Sequence, residues 1–536
     1  MEGTSPKQRI RIQPLLSEPS LRLFLLGLLF VTAFCLRLYG IGKPPMDFVP
    51  VRQYHGALLA RGLYEWLLSG NLKTLPPDGI IEPPILEFLA SLSYLILGSE
   101  HLWIPRLFSA LFWIVGGVFL YLTAKRIASP NAAVFSVLFY LFVPYSVLVS
   151  RAFMPDPLMV MLLVIGIYTI LRYHEQPSAR TLLVAAAASS LAVFVKTGIC
   201  VFQLFGAFVS LAVYRRGIRR ALLGSDLLLF GVLTIAPTAL YYLYGTFVAS
   251  FFQGQTEDKL VPGYVLVPRY WTGWLHSIET VVGYAAFAGA LLGVLLRSGM
   301  ARALLVGLWG GYLLFGLTFT YHIHTHEYYS LQLVPVVALS LGLLWEAIAS
   351  SLRQTNVPYA KAAVVGLVLL AVVVGVLEHQ RTILTTARGM QGADHQSRGG
   401  RNVFPADYEE RARVYQEIGE AVHHSQRTIY SAPDFGYALS YHGRLDGVFW
   451  PTPSQWEFWR QNEGAPGPSR RAYFDDLYSE FSPQYFIVIK TIRAGAGQHK
   501  VQSWKEDELL RDISKDFRVA AQDNAYIVFD LRRREK

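Results

Sequence analysis

Two aspartates, each beside an apolar stretch, are the residues best suited to chemistry. Asp47 lies in Lys43-Pro-Pro-Met-Asp-Phe-Val-Pro-Val-Arg-Gln-Tyr54, and Asp156 in Ser150-Arg-Ala-Phe-Met-Pro-Asp-Pro157. A carboxylate held at a membrane interface can accept the proton of a hydroxyl as that hydroxyl attacks. Asp47 has a competing use as the cap of a helix expected from about Val51, although it stands rather far upstream for that. Asp156, set between prolines, also matches the ordinary grammar of a helix start. Its placement on the same face of the membrane as Asp47, with Arg151 ahead of it, favours a shared role.

Cations and hydrogen-bonding groups accompany the carboxylates. Lys196, in Val195-Lys-Thr-Gly198, sits at the outer end of an apolar span, where it either neutralises a lipid phosphate or snorkels to the interface. Arg52 and Arg269 carry the same two readings. Glu82, before Pro83-Pro84, is a further ligand or sugar contact. The densest polar cluster is Tyr321-His-Ile-His-Thr-His-Glu-Tyr-Tyr329. In an extended segment His322, His324 and His326 would share one face and suit a divalent metal. His326, Tyr328 and Tyr329 can equally hydrogen-bond a phosphate or a sugar, and an interfacial aromatic belt has the same composition.

The elements that must position these groups are mostly membrane helices. The chain has 536 residues, 53% hydrophobic and only 16% charged, against about 25% charged in a soluble domain. Its apolar residues are clustered in runs such as Leu23–Cys35, Leu107–Leu122 and Ala362–Leu377. In lipid such runs must be helical, because no water is present to satisfy the backbone. Spans are expected near residues 21–38, 104–123, 131–149, 157–171, 181–195, 199–214, 221–244, 279–296, 303–320, 331–349 and 361–378. The N-terminal run is long, is closed by Arg37 and lacks a cleavage site, so it reads as an uncleaved first span.

With the N-terminus cytoplasmic, every short inner connection is basic: Lys125 and Arg126; Arg172 and Arg180; Arg215, Arg216, Arg219 and Arg220; Arg297 and Arg302; Arg353 and Lys361. That is the positive-inside pattern, and it accounts for the net charge of +10 without a nucleic-acid partner. Both aspartates, the histidine segment, the 254–276 loop and the C-terminal part then lie outside, in a multi-pass protein of the plasma (inner) membrane. The 43–102 segment carries two runs at helix spacing, from Ala57 to Leu68 and from Leu86 to Ile96, expected to lie along the membrane surface.

Residues 1–378 therefore form a transmembrane domain and 379–402 a polar, Gly-rich linker, with 403–536 a small extracytoplasmic α/β domain. In the last, a helix is expected over Tyr408–His424 and another around Glu506–Ser514. Strands are expected at Thr428–Ser431, Tyr485–Lys490 and Ala525–Leu531. Trp450, Trp456, Phe458 and Trp459 either bind an acceptor, pack against the membrane helices or fill this domain's core. The two cysteines, Cys35 and Cys200, offer no disulfide framework for it. No P-loop, dinucleotide fingerprint or H-E-x-x-H motif is present, so an energy source must arrive as an activated substrate.

In these residues the chain resembles the GT-C class of integral-membrane glycosyltransferases. It looks closest to the family-39-like branch, which includes protein O-mannosyltransferases and lipid A aminoarabinose transferases. The resemblance rests on Asp47 in a first outer loop followed by surface helices, and on Glu82-Pro-Pro-Ile-Leu-Glu87. It continues through Arg106-Leu-Phe-Ser109, the Ser150–Asp156 loop and His326-Glu-Tyr-Tyr329, covering roughly residues 20–350. It implies a polytopic α-helical GT-C-like fold of about eleven spans. It also implies a polyprenyl-phosphate-linked sugar as donor, a lipid, glycan or protein acceptor on the extracytoplasmic side, and inversion at the anomeric carbon. Asp47 matches the catalytic carboxylate and Asp156 the second outer-loop aspartate, while Lys196 and the Tyr329 region fall where relatives hold the donor phosphate. Where aminoarabinose transferases place a lysine before the proline of the second outer motif, this chain has Glu82. The scheme requires no cofactor, and a divalent metal stays an open option. The alternative is a transporter or flippase of a lipid-linked sugar, which the lack of an inverted repeat and of paired broken helices disfavours. The Trp-Trp-Asp-Tyr-Gly motif expected of oligosaccharyltransferases is absent.

Overall fold

The computed structural model describes residues 19–71, 82–196, 198–249, 262–354, 407–462, 467, 469–490 and 507–534. The expected span 361–378 and linker 379–402 lie outside these residues.

The membrane part runs through α1 (Pro19–Leu38), α2 (Pro50–Ser69), α3 (Ile85–Leu97), α4 (Trp103–Ile127), α5 (Pro130–Phe142), α6 (Pro144–Val149), α7 (Asp156–Glu175) and α8 (Ala179–Val195). It continues through α9 (Val201–Arg216), α10 (Ile218–Leu222), α11 (Ser225–Phe247), α12 (Pro268–Val282), α13 (Tyr284–Leu295), α14 (Gly299–Thr318), α15 (Thr320–Thr325) and α16 (Leu333–Gln354). Among the described residues six helices are long and apolar enough to cross a membrane, or seven if the bent pair α12–α13 is one span. The chain is an integral membrane protein.

Each of the ten expected spans within the described residues falls on helix, but two are broken. Expected span 131–149 divides at Val143, which is extended (φ −59°, ψ 127°) ahead of Pro144. Proline disfavours helical geometry in the residue before it and cannot donate to the preceding turn. Expected span 279–296 straddles an 88° bend between α12 and α13. Gly283 makes that bend at φ 78°, ψ 143°, where a side chain would be strained.

The two helices expected along the membrane surface are α2 and α3. Pro50 opens α2, and Gly70 closes it in the left-handed conformation with its N–H on the Trp66 carbonyl. In the helix bundle, α4, α5, α7 and α8 pack together, and α7 is the most buried of the spanning helices. Its Arg172 and Glu175 lie at one end beside Arg126 of α4, while Asp156 begins the other end. Twenty helical residues separate those ends by roughly 30 Å, so the basic connections and the aspartates occupy opposite faces of the bundle.

The C-terminal part is an α/β domain: α17 (Tyr408–Ala421), β1 (Thr428–Ser431), α18 (Tyr437–Gly443), β2 (Gly447–Phe449), α19 (Pro453–Asn462), α20 (Arg470–Glu480), β3 (Tyr485–Ile489), α21 (Glu508–Asp516), β4 (Phe517–Gln522) and β5 (Tyr526–Arg534). The sheet order is β2-β1-β3-β5-β4. β1 is parallel to β2 and β3, whereas β5 is antiparallel to β3 and β4. The edge strands β2 and β4 escaped the sequence reading, since one has three residues and the other is largely exposed. Trp450 is fully buried against Tyr473, Phe474 and Phe486, and Trp456 stacks on Tyr473. These two tryptophans belong to the domain core and not to an acceptor surface. The Phe458 side chain lies outside the described part, and Trp459 is half-buried beside Phe449.

This domain docks on α2. The Tyr54 hydroxyl and His442 Nε2 are 2.8 Å apart, and Arg61 donates to the Tyr441 carbonyl at 2.9 Å. Arg61 also pairs with Glu100, which accepts from the Tyr441 hydroxyl. A single apolar cluster joins Tyr54, Ala57 and Leu86 to Ile418, Leu439 and Tyr441.

Candidate active site

Asp47 is held by two arginines. Its Oδ2 accepts from Arg106 at 3.0 Å and Arg151 at 2.5 Å, while Oδ1 is buried with no partner. Arg106, fully buried, also donates to the carbonyls of Ile41, Lys43 and Arg151. Arg151 donates in addition to the Tyr39 carbonyl. The chain between α1 and α2 is thus wrapped on guanidinium groups, with one buried carboxylate oxygen left without a hydrogen-bond partner. Asp47 caps nothing: the residue before α2 is Val49, and no side chain bonds the first turn.

Val49 has φ 39° and ψ 65°, a left-handed conformation that a β-branched residue rarely adopts. Such strain costs about 1–3 kcal/mol and persists where neighbours enforce it. Gln53 does so here. Its Nε2 donates to the carbonyls of Phe48 and Pro45, and its Oε1 accepts from the Phe153 N–H at 2.8 Å. That one side chain clips the Asp47 segment to the loop that leads into Asp156.

Asp156 begins α7 without capping it. Its Oδ1 accepts from Lys196 Nζ at 2.7 Å; both side chains are almost fully buried, and Oδ2 has no partner. Lys196 also lies 4.8 Å from the ring centres of Tyr328 and Tyr329, within the range of a cation–π contact. On α2, Arg52 pairs with Glu82 at 2.5 Å, and both are half-buried. Burial works against the Arg52 charge, but Glu82, Tyr328, Tyr329 and Asp156 more than offset it and hold the guanidinium strongly basic. Burial also keeps the phenols of Tyr328 and Tyr329 protonated well above the usual range, leaving them as hydrogen-bond donors.

The 321–329 segment is not extended. Thr320–Thr325 is the short helix α15, so alternate histidines diverge. His322 and His326 stack at 5.8 Å, whereas His324 turns its Nδ1 to the Thr320 carbonyl and lies against Tyr264 and Tyr270. The metal-site expectation for His322, His324 and His326 therefore fails on geometry. Among the described residues no group of three or more His, Cys, Asp or Glu could hold an ion. Burial, with Lys196 and Arg52 nearby, depresses His326 to about 4, so its imidazole is neutral near pH 7.

Arg269 does not join this cluster. It lines a separate cleft of about 430 Å³ with Thr272, Gly273, His324 and Thr325. The structure thus brings together Asp156, Lys196, Arg52, Glu82, His326, Tyr328 and Tyr329, sets Asp47 beside them through Gln53, and leaves Arg269 apart. Arg106, Gln53, His55 and Glu87 were not singled out as site residues. Arg106 and Glu87 had a signal, since one opens Arg106-Leu-Phe-Ser109 and the other ends Glu82-Pro-Pro-Ile-Leu-Glu87.

This helical membrane bundle, whose first long loop folds into two helices beneath a C-terminal domain, has the GT-C fold. Residues 81–242 match the family described as dolichyl-phosphate-mannose-protein mannosyltransferase. The chain is similar to ArnT from Cupriavidus metallidurans bound to undecaprenyl phosphate (TM-score 0.54, 14% identity, 95% of this chain and 98% of that one). It is also similar to the apo oligosaccharyltransferase of Archaeoglobus fulgidus (TM-score 0.56, 14% identity, 87% of this chain and 69% of that one). At these identities the likeness is one of fold. No curated protein matches the chain by sequence.

Proposed function

We propose that this protein transfers a sugar from a polyprenyl-phosphate donor to an acceptor hydroxyl on the extracytoplasmic face, with inversion. The observation that carries this reading is the juxtaposition of two polar clusters at one end of the bundle. One is a carboxylate with a free buried oxygen; the other holds two cations and two phenols. ArnT binds undecaprenyl phosphate, and the archaeal oligosaccharyltransferase has been tethered to an acceptor peptide, which supports a lipid-linked donor and a separate acceptor here.

Asp47 Oδ1 accepts the acceptor proton while the acceptor oxygen attacks the anomeric carbon. The bond to the phosphate oxygen breaks, and negative charge grows on the departing lipid phosphate. Lys196, Arg52, Tyr328 and Tyr329 stabilise that charge by donating to its oxygens, and Asp156 positions Lys196. Preorganised donors in a site shielded from water are worth more than the same groups in bulk, and a positioned base adds about 10²–10⁴-fold. Neither step requires a metal. The basic connections at the far end of the helices support a cytoplasmic N-terminus.

The test is Asp47→Asn in proteoliposomes supplied with labelled polyprenyl-phosphate sugars and membrane acceptors. Transfer should fall by at least 10²-fold with undecaprenyl phosphate binding unchanged. Full turnover in the variant would remove Asp47 from the mechanism, and donor movement across liposomes without acceptor would favour a flippase.

A further inference from the structure

Glu87, in the first turn of α3, packs against α2 and takes no part in the mechanism above. It is half-buried, and Gly56 of α2 makes room for it: a Cβ there would come 3.3 Å from Glu87 Oε1 and 3.6 Å from the Phe153 ring. Gly56 is one helical turn beyond Arg52, so Glu87 looks onto the Arg52–Glu82 pair. The charged groups acting on it are Glu82 and Arg52, on which His55 also bears, with Tyr241 of α11 as a further electrostatic neighbour.

The charges in this cluster are already matched. Arg52 has Glu82, and Lys196 has Asp156. An entering lipid phosphate must share these cations with carboxylates already on them. A third ionised carboxylate beside Arg52 would add like-charge repulsion in a poorly hydrated space.

We propose that Glu87 is a specificity-determining residue that must hold a proton for an anionic lipid headgroup to bind beside Arg52, and that its ionisation disfavours the anion. The inference rests on the reading of this cluster as the donor-phosphate site. Its chemistry suits the physiological range, because burial first, and Glu82 second, push the Glu87 carboxyl up to about 7. His55, depressed to about 4 mainly by burial, and His326, likewise near 4, do not titrate in that window. If only protonated Glu87 admits the anion, affinity falls roughly tenfold between pH 6 and pH 8 and about tenfold more by pH 9.

The experiment measures binding of a polyprenyl methyl phosphodiester, whose single charge is constant over this range, to the full-length protein at pH 6, 8 and 9. Wild type should lose affinity as stated, whereas Glu87→Gln should bind at pH 8 and 9 as wild type does at pH 6. Calorimetry of wild type at pH 8 in buffers of different ionisation enthalpy should show uptake of about one proton per ligand. Wild-type affinity independent of pH, absence of proton uptake, or a Glu87→Gln variant with the wild-type slope would overturn the proposal. The calorimetry needs no variant, so a misfolded Glu87→Gln leaves the test intact. Binding that is pH-independent but lost in Lys196→Met would sink this inference alone. Binding absent at every pH would sink the donor-site reading beneath it.

Discussion

The Lys196–Asp156 pair separates scaffold from chemistry. Both side chains are almost completely inaccessible, with Nζ 2.7 Å from Oδ1. Lys196→Met keeps the stem that runs towards Tyr328 and Tyr329 but strands a buried carboxylate. Removing one partner of such a pair costs about 3–5 kcal/mol, whereas replacing both with neutral groups is often nearly neutral. In detergent, Lys196→Met should be destabilised by about that amount, and Lys196→Met with Asp156→Asn should recover most of it. Activity should not follow stability. On the proposed mechanism the leaving phosphate then loses a preorganised donor, a loss of about 10²–10³ in kcat. The double variant should therefore be well folded and slowed by that factor. The assay pairs equilibrium unfolding with initial rates of sugar transfer at saturating donor. Recovery of transfer in the double variant would show that the pair is structural, and a stable Lys196→Met would show that Asp156 has another partner.

Arg106→Lys should destabilise the protein by about 2–4 kcal/mol in the same unfolding assay. A single ammonium cannot replace bonds to three carbonyls and Asp47, and hydrogen bonds to charged groups are worth about 1.5–3 kcal/mol each. Transfer should fall with it, because Asp47 loses its anchor. The C-terminal domain should undock on acidification. Burial first, then Arg61, hold His442 down to about 4, against about 6.5 when unfolded. The free chain then binds the proton first, so docking stability is full above about pH 6.5 and is lost as pH falls towards 4. Limited proteolysis of the α2–α18 contact across that range should show the loss, and His442→Gln should flatten it.

Much of this architecture was legible because apolar runs in lipid have one solution, a helix that satisfies its own backbone. Ten helical stretches, the two helices after α1 and three of five strands follow from local periodicity, although only six or seven of the described helices are long and apolar enough to cross a membrane. So does the sidedness that collects the aspartates opposite the basic connections. What local pattern cannot report is which side chains meet once helices pack. Arg106 reaches Asp47 across 59 residues and Lys196 reaches Asp156 across 40. Those pairings depend on how the ends of α4, α7 and α8 converge. Packing also decided that the histidine segment coils into α15 and spreads its imidazoles, and that Arg269 opens into a different cleft. It left Glu87 near Arg52 as well, because the close approach of α2 and α3 at Gly56 brings a carboxylate from the next helix to that part of α2.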